Sequence, residues 1–358
     1  MGMINQETAG NTVHCEADPG FRDWMTSFSG SVVFSTRRSG KICFLGWDGN
    51  MVTLLQRAME MPTGMKVMRN QLLIASKNEI SLYADAQPLA YEYDRERPGA
   101  YDACYLPRTS WYVGNIGVGD VLTDREGMLF VNTRFSCVAR PSFKYHFEVV
   151  WKPDFITDIM PDDRCHLSGA EAVDGQLAYV TAFARSDEPL GWQKRTNDGI
   201  LIDARSNQII LEGLSMPHSP RWYKECLWFL NSAAGELCVM NPENCEVKTV
   251  RHLPGITRGL AFWGNYAVVG LSKIVRNDEN RDFPLWRKNQ NTICGVVLVN
   301  ILTGREEGTF LFESGCDEIF DLELLPGIHR AAMLPPENPR CFSALTSEKY
   351  CWWLHDNN

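Results

Sequence analysis

One phrase recurs along this chain. A short polar or small-residue lead-in is followed by an apolar strand, a tight polar turn, a second apolar strand and a small-residue exit. It is clearest between Arg164 and Lys273, as RCHLSGAEAVDGQLAYVTA, MPHSPRWYKECLWFLNSAAGEL and GITRGLAFWGNYAVVGLSK. Short apolar runs bounded by turn residues form strands, and Asp-Gly between two of them marks a hairpin, because glycine accepts the positive φ of a primed turn. Repetition of this unit at a wide spacing constrains the fold more than any other feature. Each unit is one blade of a β-propeller, and the lead-ins are where a propeller places residues around its axial channel.

The unit also occurs on either side of that stretch. SGSVVFSTRRSGKICFLGWDGNMVTLLQRAM supplies three strands with no inner strand before them. GMKVMRNQLLIAS with NEISLYA, and VGDVLTDREGMLFVNT, supply further inner hairpins, and CDEIFDLELLPG is an inner strand with no complete blade after it. Inner strands start near 64, 119, 167, 218, 258 and 317, a spacing of roughly 40 to 60 residues. The expected fold is all-β: a single β-propeller of six blades, or seven if residues 85–118 hold another hairpin. The last blade is closed by the N-terminal strands pairing with the C-terminal inner strand, which removes exposed sheet edges.

Residues 1–27 lack periodicity and read as a loose N-terminal arm, 28–335 as the propeller and 336–358 as a C-terminal tail. On this division, deleting residues 1–20 is tolerated and deleting 1–45 abolishes folding. Loops at 85–118, 183–198 and 273–292 exceed hairpin length. The last, charged around Phe283, Pro284 and Trp286, is either a lid or a solvated excursion.

Lys and Arg total 35 against 44 Asp and Glu, a net charge of -9. That balance offers no basic footprint for nucleic acid or an anionic membrane. No apolar run approaches the ~20 residues that span a bilayer, and the first residues lack the pattern of a signal peptide. The 12 cysteines are scattered, several of them (Cys43, Cys238, Cys294) inside apolar strands. Reduced thiols and a cytoplasmic location are the expectation. A phosphate-binding glycine loop, a G-x-S-x-G elbow, an H-E-x-x-H pair and an EF-hand loop are all lacking.

The inner strands of a propeller converge on one axis, so their first residues meet although far apart in sequence. Here these include Lys66, Asp120, His166, His218, Arg221, Arg258, Asp317 and Glu318. This set suits proton transfer with an arginine clamping an anion, or a metal held by imidazole and carboxylate. His218 stands out, because Pro217 and Pro220 stiffen the backbone on both sides of it. The alternative is that the prolines only start a strand and His218 caps a backbone carbonyl. The expected catalytic groups are His218, His166, Glu318 and Asp120, with Arg221, Arg258 and Trp222 binding substrate. If a divalent metal ion is the cofactor, His166 and His218 are its expected ligands. At least one of Arg221 and Arg258 is expected to pair with a carboxylate across the channel instead.

The phrases FSTRRSGKICFLG, VNTRFSC, RCHLSG, MPHSPRW, LPGITRGLAF, VGLSK and EIFDLELLPG together resemble a bacterial conserved-hypothetical family of β-propeller-like proteins, over most of residues 30–327. The resemblance implies one domain of repeated blades and supplies no reaction. Two functions are therefore expected in competition. One is an enzyme of small-molecule or peptide-tailoring metabolism, with its site at one mouth of the channel. The other is a non-catalytic propeller that holds ligands or proteins with its faces and the Trp-rich tail CWWLH. Fold alone does not choose between them.

Overall fold

The computed structural model describes residues 3–8, 11–194, 197–275, 282–288 and 291–354. Six antiparallel sheets radiate from one axis as a six-bladed β-propeller. Blade 1 is built from Asp321–Pro326, Gly30–Thr36, Lys41–Trp47 and Val52–Ala58, from the axis outwards. Blade 2 has Met65–Met68, Gln71–Ala75, Glu79–Asp85 and Ala103–Tyr112. Blade 3 covers Val118 to Trp151, blade 4 Leu167 to Leu214, blade 5 Pro217 to His252 and blade 6 Ile256 to Ser314. Residues 85–118 hold the outer strand of blade 2 and a helical turn, Gln87–Ala90, and no seventh blade.

The local signals act as the turn chemistry requires. Asp174 (φ 54°) and Gly175 (φ 73°) form the two-residue turn between Val173 and Gln176. In the turn after Trp47, the Asp48 side chain accepts hydrogen bonds from the backbone of Asn50 and Met51. The ring closes as the two ends of the sequence require. Asp321–Pro326 pairs with Gly30–Thr36 in register from Asp321 opposite Ser35 to Pro326 opposite Gly30. A second tie follows, where Ala331–Met333 adds in parallel to the outer strand of blade 2. Apolar clusters fill the spaces between neighbouring blades.

Two segments are more ordered than the sequence reading allows. Within the supposed arm 1–27, Met3–Thr8 and Asn11–Ala17 are strands that extend the outer edge of blade 6, and Pro19–Phe28 is a helix. The helix follows from residues at hand. Asp18 caps it by accepting from the Phe21 amide at 2.7 Å, and Pro19 takes a position where no amide is needed. Phe21, Trp24, Met25 and Phe28 then form one buried face, packed on Trp263 and Phe310. The tail 336–358 is not separate either. Arg340 lies between the rings of Tyr93 and Trp353, and Ala344–Thr346 pairs with Cys351–Trp353. Residue His355 lies outside the described residues.

Of the 273–292 loop, residues 276–281 and 289–290 lie outside the described residues. Its helical turn Pro284–Arg287 packs by Leu285 against Gly235, beside blade 5. The described part does not line the axial mouth. Among the described residues, which include all 12 cysteines, there is no disulfide bond. Among the described residues, no helix is long and apolar enough to cross a membrane.

Candidate functional site

Where the inner strands begin, the channel widens into a cavity of about 510 Å3 whose wall takes side chains from all six blades. That size suits a small molecule. Each inner strand of blades 3 to 6 carries a register shift near its start, at Val118/Val121, Leu167/Gly169, His218/Arg221 and Thr257/Leu260. Such bulges turn the backbone and re-aim side chains, and they favour the edges of binding sites. Non-glycine residues in the left-handed region line the same mouth: Met61 (φ 48°), Asp163 (φ 47°), His166 (φ 52°), Leu190 (φ 51°) and Met216 (φ 52°). Each costs ~1–3 kcal/mol unless its surroundings enforce it, and such strain clusters at functional sites.

His166 is held on three sides. Its Nδ1 is 2.7 Å from Asp163 Oδ2, and its ring lies 4.3 Å from that of Phe183 and 4.2 Å from that of Trp192. The Trp192 indole donates to the same Asp163 oxygen at 3.0 Å, while Asp163 Oδ1 is buried with no partner. Two long loops build this wall, and Arg164 pins them together by ion pairs to Asp162 (3.0 Å) and Asp187 (2.7 Å). His218 is only 5% exposed and lines the cavity. The Ser168 backbone hydrogen-bonds its ring, and its Nε2 has no partner. Burial, then the charges of Arg258 and His166, holds the His218 pKa well below the usual imidazole range, so the ring is neutral at pH 7. His218 thus caps a backbone group, as its structural alternative required, and still presents a free nitrogen.

Arg258 packs over the Phe320 ring at 4.8 Å, with its Nε buried and unpartnered. Burial, with Arg37 and Arg38 nearby, lowers its pKa to about 10 against the pull of Glu318; the group stays cationic. Glu318 is buried and accepts from the Arg38 amide at 2.8 Å. It lines an adjoining cavity of about 540 Å3, which shares Arg37, Met61, His166 and Arg258 with the first.

The other expected site residues lie elsewhere. Asp120 and Arg221 are deeper in the channel, paired at 3.0 Å, with Asp321 3.7 Å from the same guanidinium. Lys66, Glu323 and Glu171 complete this buried network. Arg221 is therefore the cross-channel arginine, and Asp120 its carboxylate. Trp222 stacks on Tyr179 between blades 4 and 5 and does not line either cavity. Lys273 pairs with Asp317 at the surface. The sequence reading missed Asp163, Phe183, Trp192, Arg37 and Thr63. Only the Arg37-Arg38 pair, in a turn that ends a strand, carried a visible signal. As for metal, among the described residues no group of three or more His, Cys, Asp or Glu side chains is arranged to hold an ion.

The fold and this mouth define a six-bladed β-propeller with a polar axial pocket. By sequence, residues 19–334 match the model of a family described as a domain of unknown function (DUF4915), and the chain belongs to that family. No curated protein matches it by sequence. Among solved structures, a crystal structure of a nidogen/laminin complex is similar in fold, with a TM-score of 0.52 at 12% identity, covering 83% of this chain and 98% of that one. A protein of unknown function from Bacteroides caccae is similar at a TM-score of 0.53 and 11% identity, with the same coverage.

Proposed function

We propose that the channel mouth is the active site of an enzyme that performs acid–base chemistry on a small molecule. The observation that carries this is the His166–Asp163 pair on the wall of a cavity that also holds the unpartnered Nε2 of His218. A carboxylate on Nδ1 fixes the tautomer of an imidazole and leaves Nε2 to exchange a proton with substrate. His218, neutral and half-committed to Ser168, accepts a hydrogen bond from a substrate hydroxyl or amine. Arg258 anchors negative charge, with Glu318 setting the position of Arg38 beside it.

The test is consumption of small molecules from a metabolite extract by the purified protein. A compound consumed by the wild type and spared by His166→Gln supports the reading; equal consumption by both, or none by either, overturns it. Metal content belongs in the same experiment. Stoichiometric metal that disappears in the His166→Ala, His218→Ala double variant would move the two imidazoles from proton transfer to ligation. The non-catalytic alternative is favoured by one feature, the solvent-facing Phe342, Tyr350 and Trp352 near the C-terminus. It predicts a compound that is bound and recovered unchanged.

A further inference from the structure

The charge at the mouth opposes the charge of the whole chain. The protein carries a net -9, yet Arg37, Arg38, Lys77, Arg134 and Arg258 line the two adjoining cavities against three carboxylates. Asp162 is paired with Arg164, Glu318 accepts from the Arg38 amide and lies 3.9 Å from the Arg38 side chain, and Asp163 is held through one oxygen by His166 and Trp192, its other oxygen being buried without a partner. Lys77 is paired with Glu60. Among the described residues, the side chains of Arg37, Arg134 and Arg258 form no ion pair.

Arg37, Arg38 and Arg258 are close enough that the first two depress the third. Three guanidiniums gathered around the single carboxylate of Glu318 leave an excess of about two positive charges in one lobe. Mutual repulsion of this kind opposes folding and packing gains nothing from it. It does match an anion with two charges, which guanidinium donors bind in charge-assisted, often bidentate geometry. Thr63 adds a neutral donor, because its buried hydroxyl on the cavity wall has no partner. The His166, Phe183 and Trp192 wall lines the same lobe, and the unpartnered His218 Nε2 lines the adjoining one.

We infer that the ligand of this mouth is a small molecule bearing a compact dianionic group, a phosphate monoester or a dicarboxylate, seated between Arg258 and Arg37. A hydroxyl or amine of the same molecule reaches His218. The inference rests on the mouth being the substrate site, and names what that site takes.

The experiment is calorimetric titration of the full chain at pH 7.5 and matched ionic strength, with inorganic phosphate, malonate and acetate as probes. Saturable binding of phosphate or malonate, and none of acetate, is expected; whichever dianion binds tighter identifies the source. Arg258→Gln should weaken that binding about tenfold or more, the loss of one charged hydrogen-bond partner, and the exposed Arg37→Gln should weaken it too. Arg251→Gln, which removes an arginine on the outer strand of blade 5 that lines neither cavity, should bind the dianion as the wild type does. Acetate binding as tightly as the dianions, no saturable binding at all, or unchanged affinity in both arginine variants overturns the inference. Intact dianion binding without any turnover would instead sink the catalytic proposal alone.

Discussion

His218 is the residue at which stability and the proposed acid–base role meet. Its burial keeps the ring neutral in the folded protein, whereas the unfolded chain takes up a proton near pH 6.5. Because the folded pKa is the lower one, the unfolded state binds more protons between the two values, and stability falls as pH drops from about 6.5 towards the folded pKa. The contribution is fully present above about pH 6.5 and is lost at up to about 1.4 kcal/mol per pH unit below it. Urea denaturation at pH 7.5, 6.5 and 5.5 measures this. His218→Asn, which keeps a donor for the Ser168 backbone, should show a flatter acid limb by about that slope. An acid limb as steep as the wild type's would show that His218 is not the buried neutral base described above. The residue was legible from its two prolines. Its neighbour Arg221 looked equivalent in sequence and is not, because the bulge between them sends one side chain to the mouth and the other into the throat.

At the scale of elements, the helix Pro19–Phe28 and the strand Asn11–Ala17 form part of the core of blade 6. Val13, Cys15 and Ala17 alternate inwards on that strand, and Phe21 is fully buried beside Trp24 and Phe310. Deleting residues 1–20, harmless if this were a loose arm, should therefore destabilise the protein strongly, and Phe21→Ala alone should cost about 3–5 kcal/mol. Chemical denaturation of both variants checks this; a truncated protein as stable as the full chain would return the segment to the status of an arm. The signal was present in the sequence, in Asp18-Pro19 followed by apolar residues at i, i+3, i+4 and i+7, but a short helix ahead of a strand repeat is easily read as polar linker. The wall of the site was less legible for a different reason. Asp163 and Trp192 lie on irregular loops, and nothing periodic in those loops says that Arg164 and Asp187 will bind them together over the channel.

At the scale of the whole molecule, the ring gives every blade two neighbours, so its weakest point is the blade made from both ends of the chain. Close approach at the axis shows how tightly the ring is drawn: a Cβ on Gly64 would lie 2.7 Å from Asp120 Cα, and one on Gly259 (φ 74°) 2.6 Å from the Leu322 amide. A fragment comprising residues 46–358 lacks Gly30–Thr36 and most of Lys41–Trp47. Asp321–Pro326 would then face solvent along its outer edge, and Val32, Phe34, Cys43 and Leu45 would leave the core. That loss is large beside the ~5–15 kcal/mol that holds a domain folded, and the open edge invites aggregation. A cut elsewhere should behave differently. In the exposed loop between Arg140 and Glu148 of blade 3, a protease site placed after Lys144 severs the chain but no strand pairing. The nicked protein should stay associated and melt in one transition, while the 46–358 fragment should be insoluble or melt without cooperativity. A soluble, cooperatively melting fragment would mean that the ring does not need its closure, and that each blade interface is stable with a neighbour on one side only.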